Sequence, residues 1–175
     1  RMINTELSLL HTPNYPSCTT LSLVERVDYG AEVKAPTAVL RFKQSAVNKA
    51  LPHFEAGDLV GILAPGSKVA RFYSLASASK DGMLEICIRL HSGGLCSSFL
   101  HSLSVGDSIE AFIQLNPSFR PASGKAAIVL IGAGTGIGPL VGFIRNNKSH
   151  HRIHLYWGGR SRQSDFLYES ELNSY

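Results

Sequence analysis

Ala126-Ala127-Ile128-Val129-Leu130-Ile131-Gly132-Ala133-Gly134-Thr135-Gly136-Ile137-Gly138-Pro139 is a continuous apolar run that ends in a cluster of glycines and then a proline. An unbroken apolar run is how a strand buried on both faces of a parallel sheet reads. The glycines permit a tight turn and a close backbone approach to a pyrophosphate at a helix start. Pro139 suits the first turn of the helix that should follow, over 139–147. No Gly-Lys-Ser or Gly-Lys-Thr comes after the glycines, so this is not a Walker loop.

Working outward, residues 153–157 read as a second strand ending in Gly158-Gly159, and 165–172 as another helix. A β-α-β-α order opens a doubly wound α/β domain. Such a domain usually takes about 100 residues or more, so 123–175 is expected to be the incomplete N-terminal part of one. On the other side, Ala122-Ser123-Gly124-Lys125 looks like a linker. Ahead of it the period changes to that of strands and turns. Runs at 21–28, 37–43, 58–63, 72–76, 84–90 and 108–115 are rich in β-branched and apolar residues, with Gly, Pro and Asp between them. A short helix over 97–103 interrupts them, with Ser97 as its N-cap and Phe99, Leu100 and Leu103 on one face. Short strands at this spacing suggest an antiparallel barrel or sandwich over 1–122.

Composition narrows the class. Of 175 residues, 44% are hydrophobic and 17% charged; the low charge excludes a solvated disordered chain. The net charge is +4, but the basic residues are scattered and form no nucleic-acid stripe. An acidic electron-transfer partner would suit this balance. Cys18, Cys87 and Cys96 are odd in number and lack CxxC spacing, so neither a disulfide framework nor a zinc site is expected, and a reducing, cytoplasmic setting fits. The N-terminus has no signal-peptide pattern. The longest apolar run is far too short to span a bilayer, so no direct membrane insertion is expected, whether the chain stands alone or within a larger or membrane-attached protein.

Three constellations carry chemistry. Arg71-Phe72-Tyr73-Ser74 lies on a strand, where Arg71 and Tyr73 share a face. A guanidinium can grip a diphosphate through parallel hydrogen bonds, an aromatic can cover a flat ring system, and a hydroxyl can bond a ring nitrogen. Gly93-Gly94-Leu95-Cys96-Ser97 leads into the short helix, whose free N–H groups suit a phosphate; Cys96 reads as a packed, inert thiol. The third is Gly134-Thr135-Gly136 between strand and helix, with Arg160 after the second strand as a phosphate or ribose contact. His150, His151 and His154 lack a helical frame and acidic partners and are read as a polar loop, not a metal site. Glu85, Asp107 and Glu110 are read as turn and surface residues. Neither a Ser/His/Asp triad nor a Gly-x-Ser-x-Gly elbow is present.

In this order and spacing, the motifs resemble the ferredoxin–NADP reductase superfamily, most nearly the reductase module of sulfite reductase flavoprotein and related diflavin reductases. The likeness runs from Phe54-Glu55-Ala56-Gly57-Asp58 through 71–77, 94–100 and Asn116-Pro117-Ser118-Phe119-Arg120-Pro121 to 131–143 and 157–172. It implies an antiparallel six-stranded FAD-binding β-barrel followed by a partial, doubly wound NAD(P)-binding α/β domain. Arg71 would hold the FAD pyrophosphate, with Phe72 beside it; Tyr73 would lie against the flavin, and Ser74 would bond the flavin N5 region as the catalytic hydroxyl. Gly94, Leu95, Cys96 and Ser97 would meet the phosphates, and Gly134, Thr135, Gly136 and Arg160 the NADP or NAD. The implied activity passes electrons from NAD(P)H through FAD to an acceptor such as a flavodoxin-like domain or a haem or iron protein. Two departures stand out. Arg71 follows Pro65 too closely for the helical insert of diflavin enzymes, which implies a compact single-flavin layout. Gly138 stands where the family more often has alanine. Two other readings fit the same residues: a flavin-binding sensor or electron conduit without turnover, and an interaction domain with an empty barrel.

Overall fold

The computed structural model describes residues 14–44 and 50–175. Six strands make one antiparallel sheet: β1 (Thr19–Tyr29), β2 (Thr37–Gln44), β3 (Leu59–Leu63), β4 (Arg71–Ser74), β5 (Leu84–Arg89) and β6 (Ser108–Gln114). Their order is β4-β3-β6-β1-β2-β5. The two edge strands are joined by a bridge between Leu75 and Ile86, and the Ala76 N–H donates to the Glu85 carbonyl. The sheet therefore closes on itself, as a barrel must. A bulge between Leu23 and Glu25 in β1 adds the bending that closure needs. Alternate residues point inward: Leu21 and Leu23, Leu40 and Phe42, Val60 and Ile62, Ile86 and Ile88 are all buried in one core. Helix α1 (Leu95–Ser102) lays Cys96 and Leu100 on it, followed by Leu103.

After the barrel come β7 (Ile128–Ala133), a 3-10 turn (Gly134–Gly136), α2 (Ile137–Arg145) and β8 (Ile153–Gly158), with β7 and β8 parallel. Two short helices follow, α3 (Arg162–Asp165) and α4 (Glu169–Leu172). Three expectations are corrected here. The apolar run is covered on one face only: Ile128 and Leu130 are buried with Leu140 and Phe143 of α2 and Ala56 of the barrel, while Val129 and Ile131 are exposed. The helix expected over 165–172 breaks, because Tyr168 takes a left-handed backbone with φ of 63°. Helix α1 starts two residues before Ser97, so Gly94 is its N-cap.

The α/β unit is not held on a flexible stalk. The outer face of β5 carries Glu85, Cys87 and Arg89, and α2 runs along it. A Cβ built at Gly138 would lie 3.0 Å from the Cys87 Sγ and 3.4 Å from the Ala76 Cβ; one at Gly142 would lie 2.5 Å from the Ala56 Cβ and 2.6 Å from the Ala76 carbonyl oxygen. Gly138, where alanine was the more usual residue, thus leaves room for Cys87. Gly142→Ala gives a clear expectation. Alanine gains about 1 kcal/mol of helix propensity, but overpacking against backbone costs about 1–3 kcal/mol. We expect a net loss of thermal stability for Gly142→Ala; a more stable variant would show that helix and strand do not meet this closely.

Candidate functional site

Strand β4 places the first constellation. Arg71 and Tyr73 line a cleft of about 360 Å³ whose opposite wall is His91, Gly93, Gly94, Leu95, Cys96 and Ser97. Two segments far apart in sequence therefore meet as expected. Gly94 opens α1, and the first N–H groups of a helix have no intrahelical acceptor. With the Arg71 guanidinium opposite, they make a concave site of positive potential suited to phosphate oxygens. The Ser97 hydroxyl is turned back into the loop, 3.2 Å from the Gly94 carbonyl and accepting from the His91 N–H at 3.2 Å. A Cβ at Gly94 would lie 2.6 Å from the Ser97 Oγ, so this glycine is required by the loop's own packing.

Tyr73 is half-buried and packs on the barrel core. Burial, together with its hydrogen bond to Cys96, pushes the Tyr73 hydroxyl up and keeps it protonated. Burial also raises the Cys96 thiol, against smaller opposing effects from Tyr73 and Arg71. Cys96 is thus a packed thiol, not an exposed nucleophile. Phe72 departs from expectation. Strand alternation turns its side chain to the other face, edge-on to Phe112 at 5.9 Å and to Tyr15 at 6.4 Å. Gly61, paired with Phe72, makes space for the Phe112 ring, since a Cβ there would overlap it. Ser74 ends β4 opposite Leu59 and lies outside the lining of the cleft. It stands two residues before Ala76, which packs on α2.

The third constellation sits at the C-terminal end of β5, beside Arg89. Gly134, with φ of 52°, begins the turn into α2, and the Trp157 Nε1–H donates to its carbonyl at 3.0 Å. Trp157 is stacked on Phe166 at 5.0 Å, which stiffens that wall. Arg89 has its Nη2 3.5 Å from where a Gly134 Cβ would stand. Its Nε is buried with no partner, a costly state for a cationic group that an anionic ligand at the turn would relieve. Arg89 was missed in the sequence; the available signal was a charged residue closing an otherwise buried strand. Arg160 is engaged differently from Arg89. Its Nη1–H donates to the Val33 carbonyl at 2.9 Å, and its backbone N–H to Asp165 at 3.0 Å.

Glu85 corrects the surface reading. It is only 3% exposed and is paired with Arg41 and Arg145. Among the described residues, no group of three or more His, Cys, Asp or Glu side chains is placed to hold a metal, His150, His151 and His154 included. No helix among them is long and apolar enough to cross a membrane.

The order of a barrel with a cleft lined by Arg71 and the start of α1, then a glycine turn entering a helix, is matched by two families in the same order. The family described as oxidoreductase FAD-binding domain matches residues 25–112. The chain belongs to that family. The oxidoreductase NAD-binding domain family matches residues 130–175. Among curated relatives, the FAD-binding barrel and its neighbour are 36% identical over 133 residues to NADPH oxidoreductase A of Dictyostelium discoideum, covering 67% of this chain and 21% of that protein. A sulfite reductase [NADPH] flavoprotein alpha-component of Blochmanniella floridana is 33% identical over 149 residues, covering 77% and 24%. The chain thus spans well under half the length of these relatives. Among solved structures, a ferredoxin–NADP+ reductase from Plasmodium falciparum superposes with a TM-score of 0.72 at 22% identity, over 90% of this chain and 65% of that one. A cytochrome P450 reductase from Amycolatopsis gives a TM-score of 0.71 at 28% identity, over 91% and 48%. The ferredoxin–NADP reductase fold and the flavin-then-nucleotide order expected from the sequence both hold.

Proposed function

We propose that the chain is the flavin- and nucleotide-binding module of an oxidoreductase that passes electrons from NAD(P)H through FAD to a separate acceptor. The observation that carries this reading is the pair of anion sites on one rigid frame: Arg71 facing the α1 N-terminus, and Arg89 facing the Gly134–Gly136 turn. Both donor sets fit phosphate esters. When bound, the flavin would supply the redox chemistry, accepting a hydride and releasing electrons. The chain's own residues bind and orient. Arg71, with the N–H groups of Leu95, Cys96 and Ser97, holds a diphosphate; Tyr73 covers one ring face with a phenol kept neutral by burial; Ser74 offers a hydroxyl at the seam between the two units. Phe72 contributes backbone only. Gly134, Thr135 and Gly136 let the nucleotide approach α2, with Arg89 as its cation. Arg160 reaches the ribose or phosphate only by leaving the Val33 carbonyl.

The two functional units divide at the 122/123 linker, a boundary supported by the start of β7 and by the extent of the family matches. The acceptor is proposed to be an iron, haem or flavodoxin-like protein, in keeping with relatives such as a toluate 1,2-dioxygenase electron transfer component. A reducing, cytoplasmic setting is proposed from three free cysteines, two of them buried.

The test is anaerobic titration of the full-length, flavin-loaded protein with NADH and with NADPH. Bleaching of the flavin bands by either nucleotide is expected. Bleaching by dithionite alone would leave a flavin binder without nucleotide chemistry and end this reading. Within the same assay, Arg89→Ala should keep its flavin and require about 10- to 100-fold more nucleotide for half-reduction, as loss of one or two charge-assisted hydrogen bonds implies. Unchanged half-saturation would remove Arg89 from the nucleotide site.

A further inference from the structure

Glu85 sits at the junction of four chain segments. Its backbone is fixed first: its N–H donates to the Ser77 Oγ at 2.8 Å, and its carbonyl accepts from the Ala76 N–H at 2.8 Å. These are the residues that directly follow the flavin strand. Its carboxylate takes Arg41 from β2, Arg145 from α2 at 2.9 Å, and the Tyr168 hydroxyl at 2.7 Å. Arg145 also donates to the Ala76 carbonyl and pairs with Glu171 at 2.6 Å. Burial keeps the Tyr168 phenol protonated and pushes the Cys87 thiol up to about 12. The donors therefore run one way, from the Cys87 S–H to the Tyr168 oxygen at 3.1 Å and on to the carboxylate. Tyr168 holds its place with a left-handed backbone, φ 63°, which is rare and costly for an aromatic residue. A strained residue whose side chain is 5% exposed and ends on a buried carboxylate is held there by what it contacts.

We propose that Glu85 is a positioning residue: it fixes the seat of the nucleotide-binding unit on the barrel and thereby the spacing between the flavin strand and the nucleotide turn. This rests on the function proposed above. The geometry is that of a rail. Glu85, Cys87 and Arg89 follow one another on the outer face of β5, meeting Arg145, Gly138 and Gly134 in turn. Glycine contacts at 138 and 142 set how close α2 approaches but offer no polar anchor against sliding. Glu85 supplies that anchor at the end of α2 away from the Gly134 turn. A buried ionic group that fixes register is the best-attested use of such a group. Hydride transfer is steeply sensitive to donor–acceptor placement, so loss of the anchor should slow the transfer itself.

Glu85→Gln keeps the side chain's size and removes its charge. Arg41 retains Glu25 and Arg145 retains Glu171, so both cations keep a partner and the variant should fold. In flavin-loaded full-length protein, Glu85→Gln should keep the flavin spectrum and dithionite reduction but lower the limiting rate of flavin reduction by nucleotide at least tenfold. Tyr168→Phe, the milder change, should lower it about threefold. Unfolding gives a readout independent of activity. Trp157 is the one tryptophan of these 175 residues and, in this chain loaded with flavin, reports the α/β unit, while flavin release reports the barrel. The two transitions should coincide in the wild type and separate in Glu85→Gln, with Trp157 changing first. Coincident transitions in both variants would overturn the proposal, as would separated transitions with an unchanged reduction rate. A wild type that neither nucleotide reduces would end the functional reading instead, leaving the unfolding comparison to decide whether Glu85 couples the units.

Discussion

Arg71→Ala is expected to leave the purified protein colourless. In the cleft, Arg71 is the guanidinium opposite the N-terminus of α1, and it is exposed to whatever enters. A guanidinium makes charge-assisted bonds to a diphosphate worth about 1.5–3 kcal/mol each, often two in parallel. Their loss weakens binding by about 100-fold or more. Helix N–H groups alone would not retain a flavin through gel filtration at micromolar protein. The barrel itself should survive, since Arg71 has no ion pair among the described contacts and lies at the end of an edge strand. The check is the visible absorption spectrum after loading with FAD and removing the excess, beside a thermal unfolding curve of the unloaded proteins. Yellow Arg71→Ala protein with wild-type flavin content would move the flavin out of this cleft. Arg71→Lys separates charge from geometry: it should retain flavin weakly, because lysine offers a point charge without the planar fork.

Asp58→Ala is expected to produce the largest loss of stability. Asp58 is 1% exposed and its carboxylate accepts from the Glu55 N–H at 2.8 Å, the Asn116 N–H at 2.7 Å and the Arg120 Nη2 at 2.5 Å. Its main chain also pairs with Leu75 just after the flavin strand. One side chain thus ties the turn before β3, the end of β6 and the entry to the linker. Removing it strands the Glu55 and Asn116 N–H donors, while Arg120 keeps Glu55 as its partner. Each stranded donor costs about 1–3 kcal/mol, together a large part of the roughly 5–15 kcal/mol that holds a typical domain. The sign with pH follows from its protonation. Burial opposes the charge on Asp58, but the hydrogen bonds from Arg120, Asn116 and Glu55 outweigh it and hold the carboxyl below its usual value. Its contribution is therefore full above the unfolded pKa of about 3.9 and is lost as pH falls through the lower folded value. Denaturant titrations at pH 7 and pH 3 should show the gap between wild type and Asp58→Asn narrowing in acid. A gap that stays constant would mean that the charge on Asp58 contributes nothing.

Much of the architecture was legible because it is written locally. Strand alternation in Leu84-Glu85-Ile86-Cys87-Ile88, turn glycines with positive φ such as Gly57 and Gly106, and the run into Gly132 each carry their meaning within a few residues. The family resemblance assigns Arg71 and Gly94 to one ligand, and the structure sets both on the walls of one cleft. What escaped was non-local. Glu85 looks like a surface acid until Arg41, Arg145 and Tyr168 arrive from three other segments. Arg89 has no meaning without Gly134. Over 165–172, a sequence that reads as helix, the chain turns left-handed at Tyr168, whose hydroxyl donates to the same carboxylate. Phe72 was placed by motif when its strand parity already pointed it away. Ser97 was given the N-cap that its neighbour Gly94 holds, because a hydroxyl near a helix start reads the same at either position.

The glycine face of α2 also constrains inheritance. Gly138 and Gly142 fit only against Ala56, Ala76 and Cys87, which belong to the barrel. A recombination event that exchanged the nucleotide-binding half between distant relatives would bring a helix shaped for another seat. The two halves are therefore expected to travel through evolution as one heritable block: substitutions at 56, 76 and 87 should covary with those at 138 and 142, and chimeras spliced at the linker should lose stability unless those five positions are transplanted together.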